Sequence, residues 1–573
     1  MASPPHGRPR RAAPAPDSPA QDSPAQDSPE LDSPELDSPG PDGWTLDSWS
    51  RHLGRRADPA ALAARLTAGS LPEAVSAAAA AAPRRLALRI DDEDVTHGEL
   101  DDAAGRGAAW LHGQGVRPGH RVLLAGAGSA DFVRAYLAAL RAGATVVPAS
   151  PMLTAAELAA LCEQAQVTMA FADHSSAGLL AGAASGLPVT RIGPHPGGGT
   201  GRPCGPALRE VLSGQDPVPA GPADPDAPAI LAYTSGTTGL PKGVPLTHAN
   251  LLSSIRAAML AWRWNGSDVL VHALPLTHQH GLGGVHATLL AGSRAVLCSR
   301  FEPARLARLA GQARATILFA VPAMYQRLTG LPRAGLAPLR GLRLAVSGSA
   351  PLDPALARRA GAALGQLPLE RYGTTESGLG VSALYDGPRV AGSVGRPLPG
   401  VRLRIADPDG RPLPPGEPGE ILLAGPQVFG GYLGPAGQAG QAFHPGGWFR
   451  TGDLGRIEPA SGGVEITGRI KELIISGGFN VTPREVELVL EQHPAVSEAA
   501  VAGLPSARWG EEVAAWVVPV PGAAADPAGL IAHARARLAV YKCPKQVFLV
   551  DSLPRNSLGK VLRRTLRPPP VPG

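Results

Sequence analysis

Residues 233–243 read Tyr-Thr-Ser-Gly-Thr-Thr-Gly-Leu-Pro-Lys-Gly, and they decide how the rest of the chain is read. A short apolar run at 229–232 leads in as a strand, and a helical pattern over 248–262 follows. Gly236, Gly239 and Gly243 permit a backbone whose N–H groups turn toward a ligand. Thr234, Ser235, Thr237 and Thr238 add hydroxyls and Lys242 adds a cation, so the stretch suits a polyphosphate. It is not a Walker loop: five residues after Gly236 stands Pro241, where that motif needs Gly followed by Lys. P-loop kinases and GTPases are therefore disfavoured.

On both sides of this loop, apolar runs alternate with helical patterns. Residues 122–125, 144–148, 268–273, 317–321 and 342–346 read as strands, and 130–140 reads as a helix between the first two. Such alternation predicts parallel sheets with helices packed on their faces. Beyond Asp386 the strands become short and punctuated by Gly and Pro, as at 401–405 and 419–423, which predicts a small β-barrel-like part. From Gly468 a compact α+β unit is expected, with strands at 472–475, 496–503 and 513–519 and helices at 483–493 and 530–538. The fold class is thus α/β: a large N-terminal domain over 46–467 and a small α+β C-terminal domain over 468–573, the latter mobile by the resemblance given below. Residues 1–45 carry Asp-Ser-Pro five times at a five-residue period, from Asp17 to Asp37. This composition cannot bury enough apolar surface to offset its ordering entropy, and it reads as a disordered tail.

Four further strings follow the loop in order: Arg371-Tyr-Gly-Thr-Thr-Glu376, Trp448-Phe-Arg-Thr-Gly-Asp453, Gly468-Arg-Ile-Lys-Glu-Leu-Ile-Ile-Ser-Gly-Gly478 and Pro554-Arg-Asn-Ser-Leu-Gly-Lys560. With residues 233–243, they resemble the five signatures of the adenylate-forming superfamily of acyl-CoA synthetases, luciferases and peptide-synthetase adenylation domains. The resemblance covers about residues 50–565. It implies an enzyme that activates a carboxylic acid with ATP as an acyl-adenylate and transfers the acyl group to a thiol. It also implies that residues 234–239 and Lys242 hold the phosphates, that Tyr372 and Gly373 lie against adenine, and that Thr375 contacts the α-phosphate. Glu376 would hold Mg²⁺, Asp453 the ribose hydroxyls, and Arg469 would stand beside the nucleotide. Lys560 would be the catalytic lysine and Lys471 the hinge, with Gly477 and Gly478 beside the pantetheine arm of coenzyme A. The chemistry fits these residue types, because a carboxylate attacking a phosphate needs positive charge rather than a nucleophilic Ser or Cys.

By the same resemblance, His278, His280, Ser349 and Arg371 line the acid pocket. Arg371 stands where many fatty-acid and aryl-acid enzymes carry a small residue. A buried lone carboxylate is costly unless paired, and Arg offers it a bidentate fork. The combination is similar to malonyl-CoA and methylmalonyl-CoA synthetases, although Thr374 stands where their string often has Met. The alternatives left open are a fatty- or aryl-acid ligase loading coenzyme A or a carrier protein, and a nucleotide-binding pseudoenzyme. Lys560, Glu376 and Asp453 together argue against the pseudoenzyme. Only 13 residues follow Lys560, so an acyl-carrier protein, if one is the acceptor, is expected in trans.

Composition bounds the remaining classes. Apolar residues make up 44% and charged residues 18%, a globular balance, and the net charge of +5 is scattered, which disfavours nucleic-acid binding. Cys162, Cys204, Cys298 and Cys543 form no CxxC pair, which opposes both a zinc ribbon and a disulfide framework. No apolar stretch is long enough to span a bilayer, and a cytoplasmic enzyme acting on small molecules is expected.

Overall fold

The computed structural model describes residues 59–184, 186–193, 205–234, 241–434, 442–476, 479–506, 508–556 and 559–569. The chain divides into Met1–Asp37 and Ser38–Gly573. The Asp-Ser-Pro repeats lie outside the described residues, so the description concerns the second part.

Two sheets carry most of the large region. The first has nine strands, and its centre is parallel: Leu369–Tyr372, Leu344–Ser347, Ile317–Ala320, Val269–His272, Arg294–Leu297 and Leu86–Ile90 lie side by side in that order. The second has six strands, with Val189–Arg191, Val167–Ala172, Arg121–Ala125, Thr145–Ala149 and Pro228–Thr234 parallel. These central strands read as continuous apolar runs because helices cover both faces. The expectation of parallel sheets needs one refinement, since the edges are antiparallel. Glu93–Thr96 closes one edge of the large sheet, and the two-residue strands Val381–Ser382 and Arg396–Pro397 close the other.

A further antiparallel strand is absent from the sequence-based expectation. Lys242–Thr247 pairs back on Pro228–Thr234, with Thr234 opposite Lys242. The helix His248–Ala261 starts only after this second strand. That helix begins with a capping box in which the Thr247 side chain accepts from Asn250 N–H.

The Gly/Pro-punctuated region forms a five-stranded antiparallel sheet around the long strand Trp448–Ile457, which pairs with Gly419–Ala424 on one side and Val464–Arg469 on the other. Beyond it, Val496–Ser506 and Gly510–Pro519 make the centre of another five-stranded sheet. Its core is separate from that of the large region and is built from residues such as Ile474, Val486, Val501, Val513, Val517 and Leu530. The helix expected over 483–493 stops earlier, as Pro483–Leu490. In place of the strand expected at 472–475 there is a short 3-10 turn, Ile470–Glu472, followed by the strand Ile474–Ser476. No helix among the described residues is long and apolar enough to cross a membrane.

Candidate active site

Ligands of open α/β sheets bind beyond the carboxyl ends of the parallel strands. Four neighbouring strands of the large sheet end at one cavity of about 950 Å³. The segment after Val269–His272 brings His278 and His280, Ile317–Ala320 brings Phe319, the turn after Leu344–Ser347 brings Ser349, and Leu369–Tyr372 brings Arg371. Residues far apart in sequence therefore meet because their strands are adjacent.

The end of the cavity around Arg371 is the most unusual part. Arg371 is packed against Gly348, where an added Cβ would collide with its Nε, so the missing side chain at 348 is what gives the guanidinium room. Burial pushes the guanidinium down to about 10, still charged near neutrality. Among the described residues no carboxylate pairs with it. Beside it, His280 Nδ1 lies 3.1 Å from Ser349 Oγ, while its buried Nε2 has no hydrogen-bond partner among the described residues. Burial, helped by the charge of Arg371 and by His272, holds this imidazole well below its ordinary value, so it is neutral. Ser349 takes a left-handed backbone with φ of +71°, a conformation disfavoured outside glycine, and there its hydroxyl faces His280. Phe319 packs on His280 with ring centroids 5.3 Å apart, and Met259, Trp262 and Trp264 extend the apolar wall.

At the other end, Asp453 is buried and held by two groups, Tyr372 Oη at 2.7 Å and Arg469 Nε at 2.7 Å, one on each oxygen. A carboxylate oxygen has a second lone pair, so each can still accept from a further donor. Burial raises the Asp453 carboxyl above the usual range, against the pull of Arg469, Tyr372 and Lys560. Glu376 accepts from Tyr432 Oη at 3.0 Å, with Thr234 Oγ1 at 3.5 Å. Lys242 Nζ lies 4.7 Å from the centre of the Tyr432 ring. Gly373 fits only as glycine, because a Cβ there would strike the Gly378 carbonyl.

Lys560 reaches the same cavity from the C-terminal region on a tight loop closed by the Arg555–Val561 bridge. Its backbone N–H donates to Asn556 Oδ1 at 2.9 Å. Burial, then the charge of Arg469, brings its ammonium down to about 8, while Glu472 and Asp453 pull the other way.

The cavity thus gathers Thr234, Lys242, His278, His280, Ser349, Arg371, Gly373, Thr375, Glu376, Asp453, Arg469, Lys471 and Lys560. Tyr372 is held by its hydroxyl on Asp453. Ser235, Gly236, Thr237, Thr238, Gly239, Gly477 and Gly478 lie outside the described residues. Sequence reasoning missed Tyr432, Asn556 and the aromatic wall. Tyr432 follows the pair Gly430-Gly431, and an aromatic in a Gly-flanked loop is the signal that would have found it.

Comparison with known proteins places the chain among enzymes of one family. The family model for AMP-binding enzymes matches residues 75–433, and that for the AMP-binding enzyme C-terminal domain matches 485–560. The chain belongs to the AMP-binding enzyme family, the adenylate-forming acyl-CoA ligases. It is 36% identical over 489 residues to a feruloyl-CoA synthase of Amycolatopsis sp, covering 85% of this chain and 96% of that protein. With a sulfoacetate–CoA ligase of Cupriavidus necator it shares 39% identity over 364 residues, 63% of this chain and 70% of that one. The crystal structure of ATP-bound MatB from Rhodopseudomonas palustris superposes with a TM-score of 0.80 at 38% identity, covering 86% of this chain and 98% of that one.

Proposed function

We propose that this ligase converts a short dicarboxylic acid, malonate or methylmalonate, into its coenzyme A thioester through an acyl-adenylate. The observation that carries the substrate class is the half-buried Arg371, which lines the cavity with His280, a cation and an imidazole with an unpartnered Nε2 that meet no carboxylate among the described residues. A second carboxylate on the acid satisfies both. In the first step an oxygen of the other carboxylate attacks the α-phosphorus of ATP, and the bond to the bridging oxygen of pyrophosphate breaks. Lys560 and Lys242 offset the negative charge that accumulates, Thr375 meets the α-phosphate, and Asp453 takes the ribose hydroxyls. A lone carboxylate with hydroxyls nearby fits Mg²⁺ carried mainly by phosphates and water. Glu376 would hold that ion, which supplies positive charge to the triphosphate. In the second step the thiol sulfur attacks the acyl carbonyl, its proton passes to solvent, and AMP leaves. For that step residues 468–573 act as a mobile domain turning about Lys471, withdrawing Lys560 and presenting the stretch through Gly477 and Gly478 to the pantetheine arm.

A second reading has its own support: the wall of Met259, Trp262 and Phe319 suits an aryl acid, and the feruloyl-CoA synthase is a relative. Thioester formation from a panel of malonate, methylmalonate, acetate, butyrate, octanoate and ferulate, with coenzyme A and with an acyl-carrier protein, tests the proposal. Malonate or methylmalonate should give the highest kcat/KM; preference for octanoate or ferulate overturns the substrate class.

The lowered Lys560 ammonium sets a pH dependence. The charged form is the useful one, so activity is complete below the value near 8 and lost above it. The kcat/KM for ATP, which reports the free enzyme, should fall about tenfold per pH unit above about 8. Lys560→Arg, with a side chain that stays charged, should be slower but should lack this alkaline limb. An unchanged limb in that variant would assign the titration to another group.

A further inference from the structure

A chain of ion pairs runs from the large region to the loop that carries Lys560. Asp353 caps the helix Pro354–Leu364, and the cap uses one oxygen: Oδ1 accepts from Ala355 and Leu356 N–H, both at 2.9 Å. Its other oxygen, Oδ2, lies 3.6 Å from Arg484 Nη2 on the helix Pro483–Leu490. Arg484 also meets Glu491 at 3.1 Å and Glu487 at 3.5 Å. Glu487 is buried, accepts from Val501 N–H at 2.9 Å, and pairs with Arg563 at 2.8 Å. Arg563 stands three residues after Lys560 and also holds Glu472 at 2.9 Å, the residue next to Lys471.

We infer that Asp353 and Arg484 are positioning residues for Lys560, an ionic latch that holds the C-terminal region where its lysine reaches the cavity. The inference rests on the adenylating role proposed above for Lys560. Without the latch, the helix Pro483–Leu490 loses its charged contact with Asp353, and the Glu487–Arg563 pair transmits the slack to the Lys560 loop. The pair is partly buried, with side chains 19% and 30% exposed, so its effect should be at the upper end of that for exposed pairs.

Asp353→Asn removes the charged contact with Arg484 and keeps the cap, because Asn caps a helix as well as Asp. In that variant kcat for acid-dependent ATP–pyrophosphate exchange should fall about three- to fivefold at unchanged KM for ATP. Thioester formation from supplied acyl-adenylate should stay the same or quicken. Adding Asp353→Asn to Arg484→Gln should cost nothing more than Arg484→Gln alone, since the contact is already gone. Wild-type exchange rates in Asp353→Asn, equal losses in both half-reactions, or multiplying effects in the double variant overturn the latch alone. Absence of exchange in the wild type overturns the adenylating reading and the latch with it.

Discussion

Lys560→Ala is expected to lower acid-dependent ATP–pyrophosphate exchange by about 10²–10³-fold, the usual effect of removing one preorganised charge-stabilising donor. Two anions must approach each other when a carboxylate meets the α-phosphate, and the half-buried Lys560 lines the shared cavity, where its charge is screened less than in open solvent. Among the described residues its loop adds only Asn556 to the cavity, and the Asn556 side-chain oxygen is engaged by the Lys560 N–H. The substitution leaves that backbone bond in place, so the loop keeps its shape. Once pyrophosphate has left, the demand for this charge is gone. Thioester formation from supplied acyl-adenylate and coenzyme A should therefore stay within about twofold of wild type. Measuring the two half-reactions separately decides the matter. Equal losses in both would mean that Lys560 serves the whole cycle, and the division of labour would fall.

The parts legible in the sequence are those whose chemistry is local. The stretch 233–243 announces itself because its glycines, hydroxyls and lysine are contiguous in the sequence. The buried strands are legible because central strands are apolar on both faces. The illegible parts depend on contacts between distant segments. Trp262, Trp264 and Phe319 form one wall only because a helix end and a strand are adjacent in space. Asp353 and Arg484 are far apart along the chain, and singly each reads as a solvated charge. The strands Val381–Ser382 and Arg396–Pro397 are too short to carry a period, and Lys242–Thr247 contains Pro245, which argues against a central strand and suits its edge position.

Arg371→Ala should lower kcat/KM for malonate by about 10²–10³-fold, matching roughly 3–4 kcal/mol for removing one partner of a buried charge pair. In the proposed reading the acid is held at both ends, one carboxylate at the α-phosphate and the other at the cavity wall, and a three-carbon acid brings the two close together. In wild type a fatty chain would leave the guanidinium buried and unpaired, which costs several kcal/mol and discriminates against it. The variant removes that penalty, so butyrate should gain as malonate loses, while KM for ATP should change little because the nucleotide contacts proposed above are at Asp453 and Glu376. Substituting Gly348 by Ala gives an independent route to the same end, since the new Cβ collides with Arg371 and must displace it. Both variants should move selectivity in the same direction. If Arg371→Ala leaves malonate turnover untouched, the guanidinium does not read the acid. The dicarboxylate assignment then fails, while the role proposed for Lys560 is decided separately by the two half-reactions.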